Sequence, residues 1–266
     1  MSRNALAALC LAATTAVVLT GCSGGDSDKA DSSNKAGTPS ASSASPAAET
    51  KEPFAGLSAG EIADKAFEAT TGARSVRVKG DMQDDATGGP LTIDLALDKR
   101  GDCAGTLSAD GGKTDLIKTG DTVYMRYDEA FLRAQMKGEP EEDVDAAVDM
   151  LAGTWTTSAE DSEASEIGDL CDLDTLLGED ADTAGGTSSA TRGGTTTVGG
   201  SPALALQEKD GKESATLYVA TEGEPYVLRL DNQSADDAGS LLFSDYDKPV
   251  AAQKPEGEIL DLDNLG

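Results

Sequence analysis

Leu91-Thr92-Ile93-Asp94-Leu95-Ala96-Leu97-Asp98 decides the fold class. Leucine or isoleucine stands at every second position and smaller or polar side chains lie between, the period of a strand buried on one face. Val76 and Val78 alternate with Arg77 and Lys79 in the same way, and Thr106 to Leu107, Lys113 to Lys118 and Thr122 to Tyr127 continue the series. Gly88-Gly89-Pro90, Asp110-Gly111-Gly112 and Gly120-Asp121 read as the turns between them. Links this short predict an antiparallel meander with one buried face. The pattern returns in Thr195 to Val198, Ala203 to Gln207, Ala215 to Ala220, Tyr226 to Leu230 and Leu241 to Tyr246. Asp210-Gly211 and Glu222-Gly223 are hairpin signals within that second set.

Helices flank and interrupt the strands. Ser58-Ala59-Gly60-Glu61 fits a capping box, Ile62, Ala63, Ala66, Phe67 and Thr70 follow at helical spacing, and Gly72 offers a left-handed stop. In the middle, Asp128 to Lys137 carries Phe131, Leu132 and Met136 and ends at Gly138. Pro140 can open a second helix whose stripe is Val144, Ala147, Val148 and Leu151, with Glu141, Glu142 and Asp143 at its positive end. Gly153 closes it and Trp155, the single tryptophan, follows. A short helix is expected near Asp172, burying Leu173, Leu176 and Leu177 and stopping at Gly178; Glu179 to Gly194 reads as loop.

Further out lies the N-terminus. Arg3 precedes an uncharged Ala/Leu/Val run, Ala5 to Thr20, which is short for a membrane span. Leu19-Thr20-Gly21-Cys22 at its end resembles the lipobox of bacterial lipoproteins. That resemblance implies a signal peptide over 1–21 and a lipidated Cys22 holding the chain to the extracytoplasmic face of the cell membrane. Residues 22–56 then form a linker: Ser23 to Glu52 is Ser, Ala, Gly, Asp, Lys and Thr with prolines, and no large apolar residue occurs before Phe54. Such a stretch is expected to be disordered, with a coil reach of roughly 30 Å. The folded domain is expected over 57–266.

Composition removes whole classes of function. A formal net charge of −28 repels phosphate backbones, so nucleic acid is excluded as a partner. It also works against an electrostatic hold on anionic headgroups, so acyl chains must do the anchoring. Histidine is absent, which removes His-based triads and nearly all zinc enzymes. Asp172-Leu173-Asp174 lacks the other ligands of a calcium loop, Arg192-Gly193-Gly194 has no phosphate-loop lysine and serine, and Ser201-Pro202 sits in no nucleophile elbow. We therefore expect no catalytic residue, no metal, no cofactor and no enzyme. With Cys10 in the signal and Cys22 lipidated, Cys103 and Cys171 remain for one disulfide in an oxidising compartment.

The order of elements resembles the LppX/LprG-type envelope lipoproteins of the wider LolA/LolB-like group. The matching pieces are Gly120-Asp121-Thr122-Val123-Tyr124, Gly153-Thr154-Trp155, Val198-Gly199-Gly200, and Phe243-Ser244-Asp245-Tyr246-Asp247-Lys248-Pro249-Val250. The resemblance implies an α+β fold: a curved antiparallel sheet, a half-barrel, closed over by short helices around an apolar cavity that takes an acylated lipid. Its inner face would then be drawn from Val76, Val78, Ile93, Leu95, Leu97, Val123, Leu204, Leu206, Leu228 and Leu230. Phe67, Phe131, Leu132, Val148, Leu151 and Trp155 would close the mouth. The apolar faces are Ala-rich and poor in aromatics, which points to a small or collapsed cavity. A monomer is expected. The alternative is a lipid-anchored structural or sensory envelope protein with a packed core, binding another protein.

Overall fold

The computed structural model describes residues 52–83, 89–157, 167–177, 190–210, 213–233 and 238–264. The alternating stretches become one sheet: β1 (Ser75–Gln83), β2 (Pro90–Asp98), β3 (Cys103–Ala109), β4 (Gly112–Thr119), β5 (Thr122–Tyr127), β6 (Trp155–Thr157), β7 (Thr191–Val198), β8 (Ser201–Asp210), β9 (Glu213–Ala220), β10 (Val227–Asn232), β11 (Gly239–Ser244) and β12 (Ile259–Asp261). Its spatial order is β12-β6-β5-β4-β3-β2-β1-β11-β10-β9-β8-β7. Two meanders therefore meet at one seam, where β1 pairs β11. Only β12 on β6 is parallel; every other pair is antiparallel. The end strands β12 and β7 do not meet, so the sheet curves without closing.

Glycines make the curvature sterically possible. A Cβ on Gly105 would lie 2.0 Å from the Asp94 carbonyl oxygen, and one on Gly80 would lie 1.8 Å from that of Ser240. Neighbouring backbones thus approach at β3 and β1 more closely than a side chain allows, as at the tight bends of a barrel.

Helices α1 (Ala59–Gly72), α2 (Glu129–Gln135), α3 (Glu141–Leu151) and α4 (Leu173–Leu177) accompany the sheet. The capping box forms at α1: the Glu61 amide donates to Ser58 Oγ at 3.2 Å and the Ser58 amide donates to Glu61 Oε2 at 2.7 Å. Gly72, however, is not a left-handed stop. The helix ends at Ala73 in extended backbone, whose amide donates to the Thr70 carbonyl. The turn belongs to the approach of β1, and no positive φ is needed. Asp128 caps α2, and Pro140 precedes α3 as its cap rather than as its first turn.

Strands also form inside an expected loop and where the sequence shows no period. β7 starts at Thr191, inside the stretch read as loop, because a bulge between Arg192 and Thr195 accommodates Gly193-Gly194 against β8. β6 and β12 are too short to show a period, and only their partners define them. The expected signal, Cys22 and most of the linker lie outside the described residues, as do Gly88 and Gly178.

Candidate functional site

Register places the alternating apolar residues in cross-strand rows on the concave face. One row runs Val76–Leu97–Cys103 across β1, β2 and β3. The next runs Phe243–Val78–Leu95–Gly105–Leu116–Met125–Thr156 from β11 to β6. A third runs Leu206–Leu217–Leu230–Leu241–Gly80–Ile93–Leu107–Thr114–Tyr127 from β8 to β5. Val76, Val78, Ile93, Leu95, Leu97, Val123, Leu204 and Leu206 all enter one buried core, as their alternation predicts.

Two pieces cover this face. α1 lies over β7, β9 and β10 with Ile62, Ala63 and Ala66 turned into the core. Phe67 packs half-buried beside them. Segment 167–177 covers the other half with Ile167, Leu170, Leu173, Leu176 and Leu177. Cys171 is bonded to Cys103 with Cα atoms 5.5 Å apart, so the second roof piece is stapled to β3. Lys118 Nζ donates to the Gly168 carbonyl at 3.3 Å beside it.

Several residues fall elsewhere than the resemblance implied. Leu228 is not part of the core. A bulge between Val227 and Arg229 makes it the extra residue of β10, and Val227 takes the buried position opposite Val219. Leu230 packs against the core, half-buried. Trp155 does not close the mouth. It pairs with Arg126 on the outer face, where the Arg126 guanidinium sits 4.7 Å from its ring centroid. Phe131 and Leu132 belong to a hairpin of α2 and α3 at the end of β4, where Leu132 is buried, rather than to the cluster that fills the concave face. Phe131 stacks on Tyr127 at 5.2 Å, and a side chain on Gly112 would strike its backbone. Val148 and Leu151 are half-buried on α3, which packs on α2 and is tied to it by Arg133 and Asp145 at 2.9 Å. Leu107, Leu116, Met125, Leu217, Val219, Leu241 and Phe243 join the core without having been singled out. Their alternation inside the recognised strands was the available signal.

Between the two roof pieces the surface opens. A cavity of about 220 Å³ lies between the end of α1 (Thr71, Ala73), the β1–β2 end (Ser75, Val76, Leu97, Asp98, Lys99, Gly101) and the start of α4 (Cys171, Asp172, Leu173, Asp174). Its floor is Val76 and Leu97 of the first row with Cys171 of the roof, all three in the buried core; its rim is charged. Burial raises the Asp98 carboxyl, but hydrogen bonds from Arg100 outweigh this and hold it below the usual carboxylate range. At the seam, Tyr246 donates to the Val227 carbonyl, and Thr70 Oγ1 accepts from the Val227 amide at 2.9 Å. Burial pushes the Tyr246 phenol well above its ordinary pKa.

Among the described residues no cluster of three or more His, Cys, Asp or Glu could hold a metal ion. Nor is any described helix long and apolar enough to cross a membrane. No family model matches the chain, and no curated protein matches it. Solved structures do. The chain is similar to LprF from Mycobacterium bovis at 16% identity and TM-score 0.51, covering 75% of this chain and 97% of that one. It is also similar to the Mycobacterium tuberculosis lipoprotein LppX at 15% identity and TM-score 0.48, over 73% and 98% of the two chains. With its open twelve-stranded sheet, this chain has the fold of the LppX/LprG-type lipoproteins.

Proposed function

We propose that the chain is a lipid-anchored, non-enzymatic envelope protein that holds a lipid acyl chain between the concave face and its two-piece roof. The observation that carries this reading is the opening between α1 and α4, which leads from a charged rim directly onto the apolar floor of Val76, Leu97 and Cys171. Each CH₂ removed from water there contributes about 0.8 kcal/mol, so a chain of a dozen carbons binds without any charged contact. Anchoring rests on Cys22: replacing it with Ser should release the processed protein from the membrane fraction.

A second reading, a packed core that serves a protein partner, has its own support. Val78, Leu95 and Leu116 have no exposure at all. The opening, at about 220 Å³, is also smaller than the roughly 300–1,000 Å³ of most ligand sites. The mature chain carrying Cys22→Ser separates the two. Mass spectrometry of its organic extract and fluorescent fatty-acid binding should find one acyl chain per protein, and Leu95→Trp should abolish uptake while keeping the circular dichroism. No lipid in wild type, with unfolding of the Leu95→Trp variant, would establish the packed reading instead.

A further inference from the structure

Among the described residues, one polar side chain buried inside the half-barrel has no hydrogen-bond partner. Alternation along β4 puts Gly112, Thr114 and Leu116 on the concave face. Thr114 is 3% exposed, between Leu107 of β3 and Tyr127 of β5. Its hydroxyl makes no hydrogen bond among the described residues. The neighbouring case differs: Asp94 Oδ1 also lacks a hydrogen bond, but it lies 2.7 Å from the Arg77 guanidinium in an ion pair on the outer face. Thr156, a second threonine of the concave face, donates to the Met125 carbonyl at 3.1 Å. Among the described residues, Thr114 leaves a buried hydroxyl without a partner between Leu107 and Tyr127, which is costly unless a partner arrives.

Its position relative to the opening suggests that partner. Leu97 lines the opening, pairs with Cys103, and Cys103 pairs with Lys118. Thr114 lies four residues further along β4 from Lys118, about 14 Å at the usual strand rise. A chain entering between α1 and α4 would reach Thr114 with its middle, not with its head group. Resting on the lipid-binding reading above, we infer that Thr114 is a specificity-determining contact for an oxygen carried in the body of the acyl chain. A mid-chain hydroxyl or oxo group accepts the Thr114 proton; a plain hydrocarbon leaves it unmet. The site then selects oxygenated chains over saturated ones.

The test compares 12-hydroxystearate, 12-oxostearate and stearate binding to the mature Cys22→Ser chain, with and without Thr114→Val. Wild type should bind one or both oxygenated chains about tenfold more tightly than stearate, the worth of one neutral hydrogen bond. Hydroxy and oxo arms together tell which oxygen is taken. Thr114→Val keeps the shape and removes the orphan hydroxyl, so thermal stability should hold or rise while the preference disappears and stearate affinity stays. Thr114→Ser should keep the preference, which guards against a Val variant that fails to fold. Equal binding of the three chains by wild type, or a preference that survives in Thr114→Val, overturns the inference and leaves lipid binding intact. No binding of any chain overturns the reading beneath it, and this inference with it.

Discussion

The Cys103–Cys171 bridge closes a loop of 68 residues in sequence separation, and both sulfurs lie in the core. In the chain-entropy treatment, ordering a loop of this length in the denatured chain corresponds to about 4 kcal/mol of stabilisation. With a urea dependence of about 2 kcal/mol per molar for a domain this size, its loss should lower the unfolding midpoint by about 2 M. The perturbation is Cys103→Ala with Cys171→Ala in the mature Cys22→Ser chain, compared with the oxidised parent by circular dichroism in urea. Local consequences should exceed the global one. Segment 167–177 is held otherwise by five apolar side chains and one lysine contact, so its amides should exchange faster than those of β1 and β2 in the double variant. A midpoint shift below about 0.5 M, with unchanged exchange at Cys171 and Leu176, would mean that apolar contact and not the bridge fixes this roof piece.

Gly105→Ala should destabilise by about 3 kcal/mol or more, because its Cβ would stand 2.0 Å from a backbone oxygen that belongs to the adjacent strand; thermal melting measures it. The bulge in β10 predicts a contrast between neighbours. Val227→Asp, at a position with no exposure, should cost several kcal/mol or prevent folding, whereas Leu228→Asp should cost under about 1 kcal/mol. Equal losses in urea titrations would disprove the bulge register. For pH, burial raises the Asp115 carboxyl, but hydrogen bonds from Lys113 and Arg126 outweigh it and hold the group below its ordinary value. Its contribution is therefore present above the unfolded carboxylate pKa, near 4, and is lost as pH falls through the lower folded value. Asp115→Asn should flatten that part of the acid-unfolding curve, and an unchanged slope would show that the pair is fully screened.

What could be read from the sequence was whatever one strand or helix determines by itself. The stretch from Leu91 to Asp98 needs no neighbour to show its buried face, and the capping box at Ser58 is local by nature. Trp155 illustrates the limit. Its strand spans three residues, and its face is set by pairing with Arg126, a contact 29 residues away in sequence. Leu228 was misplaced for a related reason. Strict alternation from Leu230 carries it inward, but the register shift against β9 resets the count and favours Val227. Thr114 gives no inward signal in the sequence, because a threonine between lysine and aspartate looks solvated; only its partners Leu107 and Tyr127 show that it faces inward.

Charge divides the molecule along the same two faces. On the outer face the acids are matched across and along strands: Asp94 with Arg77 and Lys79 of β1, Asp115 with Lys113 of its own strand and Arg126 of β5, Asp231 with Arg229 of its own strand. These pairs lie over half-buried backbone, where an unmatched carboxylate would be costly. Between Lys137 and Arg192, by contrast, every charged residue is an acid. α3 carries Glu141, Glu142, Asp143, Asp145 and Asp149, and the rim of the opening carries Asp172 and Asp174 with Lys99 across from them. Negative charge therefore runs unrelieved through this stretch of the sequence. A surface of that sign repels anionic headgroups, so contact with hydrocarbon on the rows behind Val76 and Leu97 must supply the affinity for any lipid taken up there.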